Sequence, residues 1–278
     1  MFQFLRLLSR PKQSELDRKL CKFISSIKLI TAVKKFLILI ISIPFITNGQ
    51  ENKKNKANRN IFIGFSFSPD YAYRTLKNSD GSPSSELLID SRNERERGKF
   101  SFTTGLNLNA RLSKKIELQT GFLYSDKGFR IFQKNTNSSP RPTDPTHIKY
   151  QYSFNYLDVP LKLNFISGSG KVKFIAGAGL TANFLLDESE TVTFIYADGS
   201  EKEYPQSYGF YNKFNLSSLI SAGAEFKLRE NIFLRAEPTF RYGLLKIIDN
   251  PVPAYLWTEI TAYLWDVGLN MGIYYKFK

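Results

Sequence analysis

Lys99-Phe100-Ser101-Phe102-Thr103-Thr104-Gly105-Leu106-Asn107-Leu108-Asn109-Ala110-Arg111-Leu112 decides the fold class. Phe100, Phe102, Thr104, Leu106, Leu108, Ala110 and Leu112 fall on even positions, and Ser101, Thr103, Gly105, Asn107, Asn109 and Arg111 on odd ones. Successive side chains of a strand point to opposite faces, so this run is a strand with one apolar and one small or polar face.

Outward from it the pattern repeats. Residues 214–228 place Phe214, Leu216, Ser218, Ile220, Ala222, Ala224, Phe226 and Leu228 on one face, and residues 265–277 alternate from Trp265 to Phe277. Further segments run over 61–73, 116–124, 152–165, 172–184 and 232–242, which makes eight. No stretch between them shows a helical period, and most exceed the roughly 9–11 residues that a tilted membrane strand requires. Residues 113–115, 167–170 and 229–231 read as tight turns; 74–98, 126–149, 187–209 and 246–261 read as long polar loops. Short and long connections alternate in outer-membrane barrels, with turns on the periplasmic side and loops outside. The expectation is an all-β, eight-stranded antiparallel up-and-down transmembrane β-barrel with short periplasmic turns and four long extracellular loops.

Alternation alone also fits a soluble, lipocalin-like barrel with its apolar face inside. The polar face decides between them, because it carries Gly64, Gly105, Gly121, Gly177, Gly179, Gly223, Gly268 and Gly272. Glycine weakens a solvated strand, whereas the interior of an eight-stranded barrel has room only for packed side chains. The turn at 113–115 sets Arg111 opposite Glu117, and the turn at 229–231 sets Glu225 opposite Arg235, with Glu237 and Arg241 continuing the polar face. Buried charges need partners, so these six residues are expected as lumen ion pairs. Aromatic girdles are expected from Tyr71, Phe100, Tyr124, Phe184, Phe214, Tyr242 and Trp265 toward the loops, and from Phe165, Phe174, Phe226 and Phe277 toward the turns. Phe154 and Tyr156 are out of phase with Leu157, Val159, Leu161, Leu163 and Phe165, which calls for a bulge near Tyr156. Pro160 and Pro238 also sit inside strands, each without a donor for the ladder.

The leader reads separately. Lys34-Lys35, an apolar run over 36–45 and Thr47-Asn48-Gly49 form a secretory signal peptide over 33–49, cleaved after Gly49. Residues 1–32 form a basic extension in front of it, consistent with a start at Val33; 50–60 form a periplasmic linker and 61–278 the barrel. The net charge of +14 is concentrated here, since residues 1–60 hold 13 basic and 3 acidic side chains, or +10, against +4 for the remainder. No nucleic-acid reader accompanies that charge, so nucleic acid is not an expected partner. Cys21, the single cysteine, precedes the expected cleavage point, which leaves the mature chain with neither disulfide nor thiol nucleophile.

Catalytic chemistry is sparse. His147, the single histidine, lies between Pro145 and Lys149 with no nucleophile motif near it. One histidine and no mature cysteine leave only carboxylates for a metal, and no phosphate-cradling glycine loop occurs, so neither metal nor cofactor is expected. The run Asp90-Ser91-Arg92-Asn93-Glu94-Arg95-Glu96-Arg97 reads as a solvated loop or as arginines for lipopolysaccharide phosphates. Residues 251–257, with Tyr255, Leu256 and Trp257, expose apolar groups at a binding loop or fold over the barrel mouth.

Tyr156-Leu157-Asp158-Val159-Pro160-Leu161-Lys162, Phe174-Ile175-Ala176-Gly177-Ala178-Gly179, Arg235-Ala236-Glu237-Pro238 and Tyr274-Tyr275-Lys276-Phe277 resemble the PorT-like family of outer-membrane β-barrel proteins over about residues 60–278. The resemblance implies the barrel and, through the members that give the family its name, an association with protein secretion. No residue carries that role over. Lys278 follows Phe277, a departure from the terminal aromatic usual for recognition by the barrel-insertion machinery. The functional expectation is a non-enzymatic envelope protein in contact with outer-membrane lipid, lipopolysaccharide and that machinery, whose loops bind a protein or surface ligand. The alternatives are a narrow channel, a lipid-modifying enzyme and a soluble lipocalin-like ligand binder.

Overall fold

The computed structural model describes residues 60–135, 144–209, 211–248 and 260–277; the leader, with its expected signal peptide and linker, and the apolar stretch 251–257 lie outside them. The elements are β1 (Asn60–Asn78), helix α1 (Pro83–Arg95), β2 (Glu96–Arg111), β3 (Ile116–Asn135), β4 (His147–Ser167), β5 (Val172–Ile195), β6 (Glu201–Gln206), β7 (Phe214–Lys227), β8 (Ile232–Gly243) and β9 (Ile260–Lys276). All pairings between strands are antiparallel. Eight strands close a ring, β1-β2-β3-β4-β5-β7-β8-β9 and back to β1, while β6 hangs on the outer part of β5. The seam between β1 and β9 runs from Phe62 opposite Lys276 to Asn78 opposite Ile260.

Apolar side chains face outward. On β1, Ile61, Ile63, Phe65 and Phe67 are exposed, whereas Phe62, Ser66, Ser68 and Asp70 are buried. That arrangement suits a hydrocarbon surround and excludes the lipocalin-like alternative, in which the apolar face would be inside. Among the described residues no helix is long and apolar enough to cross a membrane. Each internal proline interrupts one ladder and leaves the other whole. Pro160 pairs with Thr181 on β5, but the β3–β4 register skips from Leu161 to Asp158. Pro238 pairs with Leu269 on β9, but the β7–β8 register skips from Ala236 to Thr239. The missing N–H is thereby confined to one side of the strand.

Three expectations are corrected. First, the loop at 74–98 contains helix α1. Ser82 caps it, its hydroxyl accepting from the Ser85 N–H at 3.1 Å, with Pro83 in the first turn and Arg92 and Arg95 at the carboxyl end. The helix has no apolar stripe, so only its cap was readable.

Second, the described residues of 126–149 and 187–209 are largely strand. β3 and β4 pair out to Asn135 and His147, β4 and β5 to His147 and Ile195, and β5 and β6 from Glu190 and Gln206 to Ile195 and Glu201. Third, β4 has no bulge. Its register with β3 holds one phase from Phe165 to Tyr150, and Phe154 and Tyr156 are buried inside. The irregularity lies on β5, where Asn155 pairs with Asp187 and Tyr156 with Leu185, leaving Leu186 over. What changes along β4 is polarity, not phase. Near the turns Leu157, Leu161, Leu163 and Phe165 face out with Lys162 and Asn164 inside; toward the loops Phe154 and Tyr156 face in and Lys149, Gln151 and Ser153 face out. A wall leaving hydrocarbon for water must invert in this way, because its outer face then meets solvent.

Candidate functional site

The lumen is a stack of cross-linked charges. At the turn end Arg235, fully buried, donates to Glu117 at 2.6 and 2.8 Å and to Glu225 at 2.6 and 3.0 Å. Arg111 joins the same two carboxylates, at 3.0 Å to Glu225 and 3.3 Å to Glu117. The amides of Asn109 and Asn164 donate to Glu117 at 2.9 and 3.2 Å. Beneath these ions lies an aromatic floor: Arg235 sits 4.6 Å from the centroid of the Tyr274 ring and Arg111 4.8 Å from that of Phe62, which packs edge-on against Phe233. Tyr274 occupies the space that a side chain at position 64 would need, which is why glycine stands there.

One level up, Lys162 pairs with Glu237 at 2.6 Å, and the Ser221 hydroxyl donates to the same oxygen at 2.8 Å. The middle layer holds two cations and three carboxylates. Arg241 meets Asp266 at 2.5 Å and Asp70 at 3.4 Å, while Lys127 meets Asp158 at 3.4 Å and Asp266 at 3.7 Å. Neutral donors offset the deficit: Ser68 and Thr103 donate to Asp70 at 2.5 and 2.6 Å, and Asn183 and Ser125 to Asp158 at 2.5 and 2.8 Å. Between these layers is a cavity of about 20 Å³, bordered by Asn107, Lys162 and Arg241, enough for about one water.

Near the loop end, on the outward face rather than in the lumen, Lys99 binds Asp126 at 2.6 Å and the Ser153 hydroxyl at 2.7 Å. The mouth itself is apolar: Phe129, Phe154, Tyr156, Leu185, Ile247, Ala262 and Leu264 form one buried cluster. Beside it Arg74 binds Glu96 at 2.7 Å, and Arg92 of α1 reaches the same carboxylate at 2.5 Å. Glu96, expected in a solvated run, is therefore a buried anchor that ties the helix end to the wall.

All six sequence-derived lumen residues lie in this stack. Their partners Lys162 and Asp70, and Asp266 opposite Arg241 on the next strand, escaped the sequence reading, because a parity pattern names the inner face without giving the register across a long loop or which strands face each other through the closed ring. Of the proposed girdle, Tyr71, Phe100, Tyr124, Phe165, Phe174, Phe214, Phe226 and Phe277 are exposed, Tyr242 and Trp265 are partly buried, and Phe184 is buried against Phe214. Tyr71 packs on both Phe100 and Trp265. His147 is the first residue of β4, with Nδ1 3.0 Å from the Thr146 hydroxyl. Among the described residues no three His, Cys, Asp or Glu side chains are grouped to hold a metal ion.

A family model described as the outer membrane protein beta-barrel domain matches residues 48–249. No curated protein matches the chain. Among solved structures, Neisserial surface protein A is similar at 10% identity and a TM-score of 0.39, covering 78% of this chain and 97% of its own. The outer membrane protein OprG from Pseudomonas aeruginosa is similar at 14% identity, 79% and 95% coverage and a TM-score of 0.36. The outer membrane protease OmpT from Escherichia coli follows at 10% identity, 82% and 99% coverage and a TM-score of 0.37. None of these three likenesses bears on what this chain binds or does.

Proposed function

Because this chain belongs to the outer membrane protein beta-barrel domain family, we propose that it is a non-enzymatic outer-membrane protein that binds a partner or supports an assembly through its extracellular side. The observation that carries this reading is the contrast between a filled lumen and an enlarged loop end. Ion pairs and amides bridge the lumen layer by layer around a cavity of about 20 Å³ and an apolar cluster packs the mouth, whereas a conducting pore needs a continuous water column. The chain instead spends its extra length outside, where β3, β4 and β5 run on past the ring's aromatic belt and β6 widens them into a sheet. A surface built this way presents backbone held by a rigid scaffold, the usual support for a binding site.

The finer resemblance to PorT-like barrels, and with it a secretion-linked role, rests on residues that pack the lumen. In the Tyr156–Lys162 stretch the inward side chains are Tyr156, Asp158, Pro160 and Lys162, and in the strand at 235–238 they are Arg235 and Glu237. These residues specify a filled barrel, so the secretion-linked role would be that of a scaffold rather than a conduit. An enzymatic reading has only His147 as a base, and its ring meets a threonine hydroxyl rather than a nucleophile paired with a carboxylate.

The test uses single cysteines. Ser200 lies in the turn between β5 and β6 and Ser169 in the turn between β4 and β5. On intact cells a membrane-impermeant maleimide is expected to label S200C, and to label S169C only after lysis; the reverse pattern would invert the topology and defeat the proposal. Planar bilayers containing the protein are expected to stay silent, and discrete openings would move the assignment to a channel.

A further inference from the structure

The outer wall above the girdle contains a charge arrangement that folding alone does not favour. The β2–β3 register sets Arg97 directly opposite Arg130, and both are exposed on the exterior face. Like charges facing each other across a ladder destabilise it. Arg97 directs Nη1 to the carbonyls of Asn93 and Glu96 at 3.0 and 2.9 Å, which fixes the guanidinium without neutralising it. Among the described residues no ion pair joins Arg97 or Arg130 to a carboxylate. On β4, Gln151 stands opposite Arg130, with Lys149 at the next outward position. A cavity of about 270 Å³ opens here, lined by Arg130, Lys149, Gln151 and Thr193 and also by Glu201 and Glu203, with Arg97 next to it across the ladder from Arg130. Glu201 pairs with Lys149 at 3.2 Å.

We propose that Arg97, Arg130 and Lys149, with the Gln151 amide and the Thr193 hydroxyl, form a binding site for the phosphate groups of an outer-leaflet glycolipid, lipopolysaccharide. The proposal rests on the outer-membrane reading above. Two guanidinium groups side by side, with no carboxylate between them, suit a phosphate, which accepts the paired N–H groups of each fork. The site is on the exterior face, which continues that of Tyr124 and Leu157, so it looks toward neighbouring lipid rather than into the lumen. Six residues separate Tyr124 from Arg130 and three separate Phe100 from Arg97; at ~3.3 Å per residue and ~40° of tilt the pair stands about 8–15 Å above the girdle. A phospholipid headgroup layer is only about 5–7 Å deep. Even an arginine extended toward the bilayer therefore meets phosphate most readily on a thicker, sugar-bearing headgroup.

The experiment follows thermal unfolding of the refolded barrel in zwitterionic micelles by gel mobility. Four probes are added in turn: lipopolysaccharide, its dephosphorylated form, phosphatidylglycerol and inorganic phosphate. Lipopolysaccharide alone is expected to raise the midpoint. R130Q and the R97Q/R130Q pair are expected to need roughly tenfold more of it for each charged hydrogen bond lost. Without ligand these variants should unfold at the same temperature or above, because like-charge repulsion has been relieved. A variant that loses ligand-free stability together with the lipid response marks the arginines as structural and overturns the proposal. An equal response to dephosphorylated lipid or phosphatidylglycerol overturns it too, and a full response to inorganic phosphate reassigns the site to a free anion. Failure of the wild-type protein to give a heat-modifiable band before any probe is added counts instead against the outer-membrane reading.

Discussion

Replacing Arg235 with methionine tests the lumen most directly. The guanidinium is fully buried, makes four hydrogen bonds of 2.6 to 3.0 Å to Glu117 and Glu225, and lies over the Tyr274 ring. Methionine has similar length but no charge, so two carboxylates remain to share Arg111 alone, at 3.0 and 3.3 Å. Removing one partner of a buried ion pair costs about 3–5 kcal/mol, most of it the penalty of the charge left behind. The loss should fall toward the lower end, because Arg111, Asn109 and Asn164 still contact the orphaned acids. With a urea dependence of ~2–3 kcal/mol per molar, the unfolding midpoint of the vesicle-inserted barrel should drop by roughly 1–2 M. Combining Arg235→Met with Glu225→Gln restores one cation to one anion and should recover part of the drop, as coupled neighbours do. A midpoint for Arg235→Met within experimental error of wild type would refute the reasoning. The lumen would then be wet enough to solvate the acids, and the argument for a filled barrel would fall with it.

Three further outcomes follow from the same structure. Leu106→Arg puts a charge on the exposed outer face at mid-strand and should cost about 2–4 kcal/mol in a bilayer, read from the same urea titration; a neutral result would argue that this face is not lipid-bound. Phe154→Ala empties part of the mouth cluster and should cost about 3–5 kcal/mol, whereas an effect near zero would mean that the ring is not packed inside. Ser82→Ala removes the cap of α1 at a cost of about 1 kcal/mol, seen as faster amide exchange confined to residues 83–95 with the barrel melting unchanged.

The ring of strands was readable because lipid imposes a uniform rule: one face apolar, the other small or polar, for as long as the strand stays in hydrocarbon. Lys99–Leu112 obeys it throughout, and the ladder pairs Arg111 with Glu117 across a three-residue turn. The rule stops at the membrane boundary. Above it β4 keeps its phase while its polarity reverses, so Phe154 and Tyr156 resemble an error in the pattern when they are the core of the mouth. The length of β3, β4 and β5 was hidden for the same reason, since a search for apolar-out alternation ends where the outer face turns to Lys149 and Gln151. Helix α1 has its apolar residues Leu87, Leu88 and Ile89 consecutive rather than at helical spacing, leaving only the Ser82-Pro83 cap as a signal. The lumen partners were hidden for a geometric reason: Lys162 and Glu237 are 75 residues apart and meet only because the sheet closes.

The seam between β1 and β9 has a genetic consequence. The first and last strands are each other's neighbours, with Phe277 N–H donating to Ile61 at 2.9 Å as the final stitch. A chain cut anywhere before Ile260 leaves two unpaired strand edges in hydrocarbon, where each lost backbone bond costs several kcal/mol. Premature stop codons along most of the gene should therefore behave alike, as complete loss of function. Inheritable variation is channelled instead into point changes and into growth of the connections between strands, which leaves the closed ring intact.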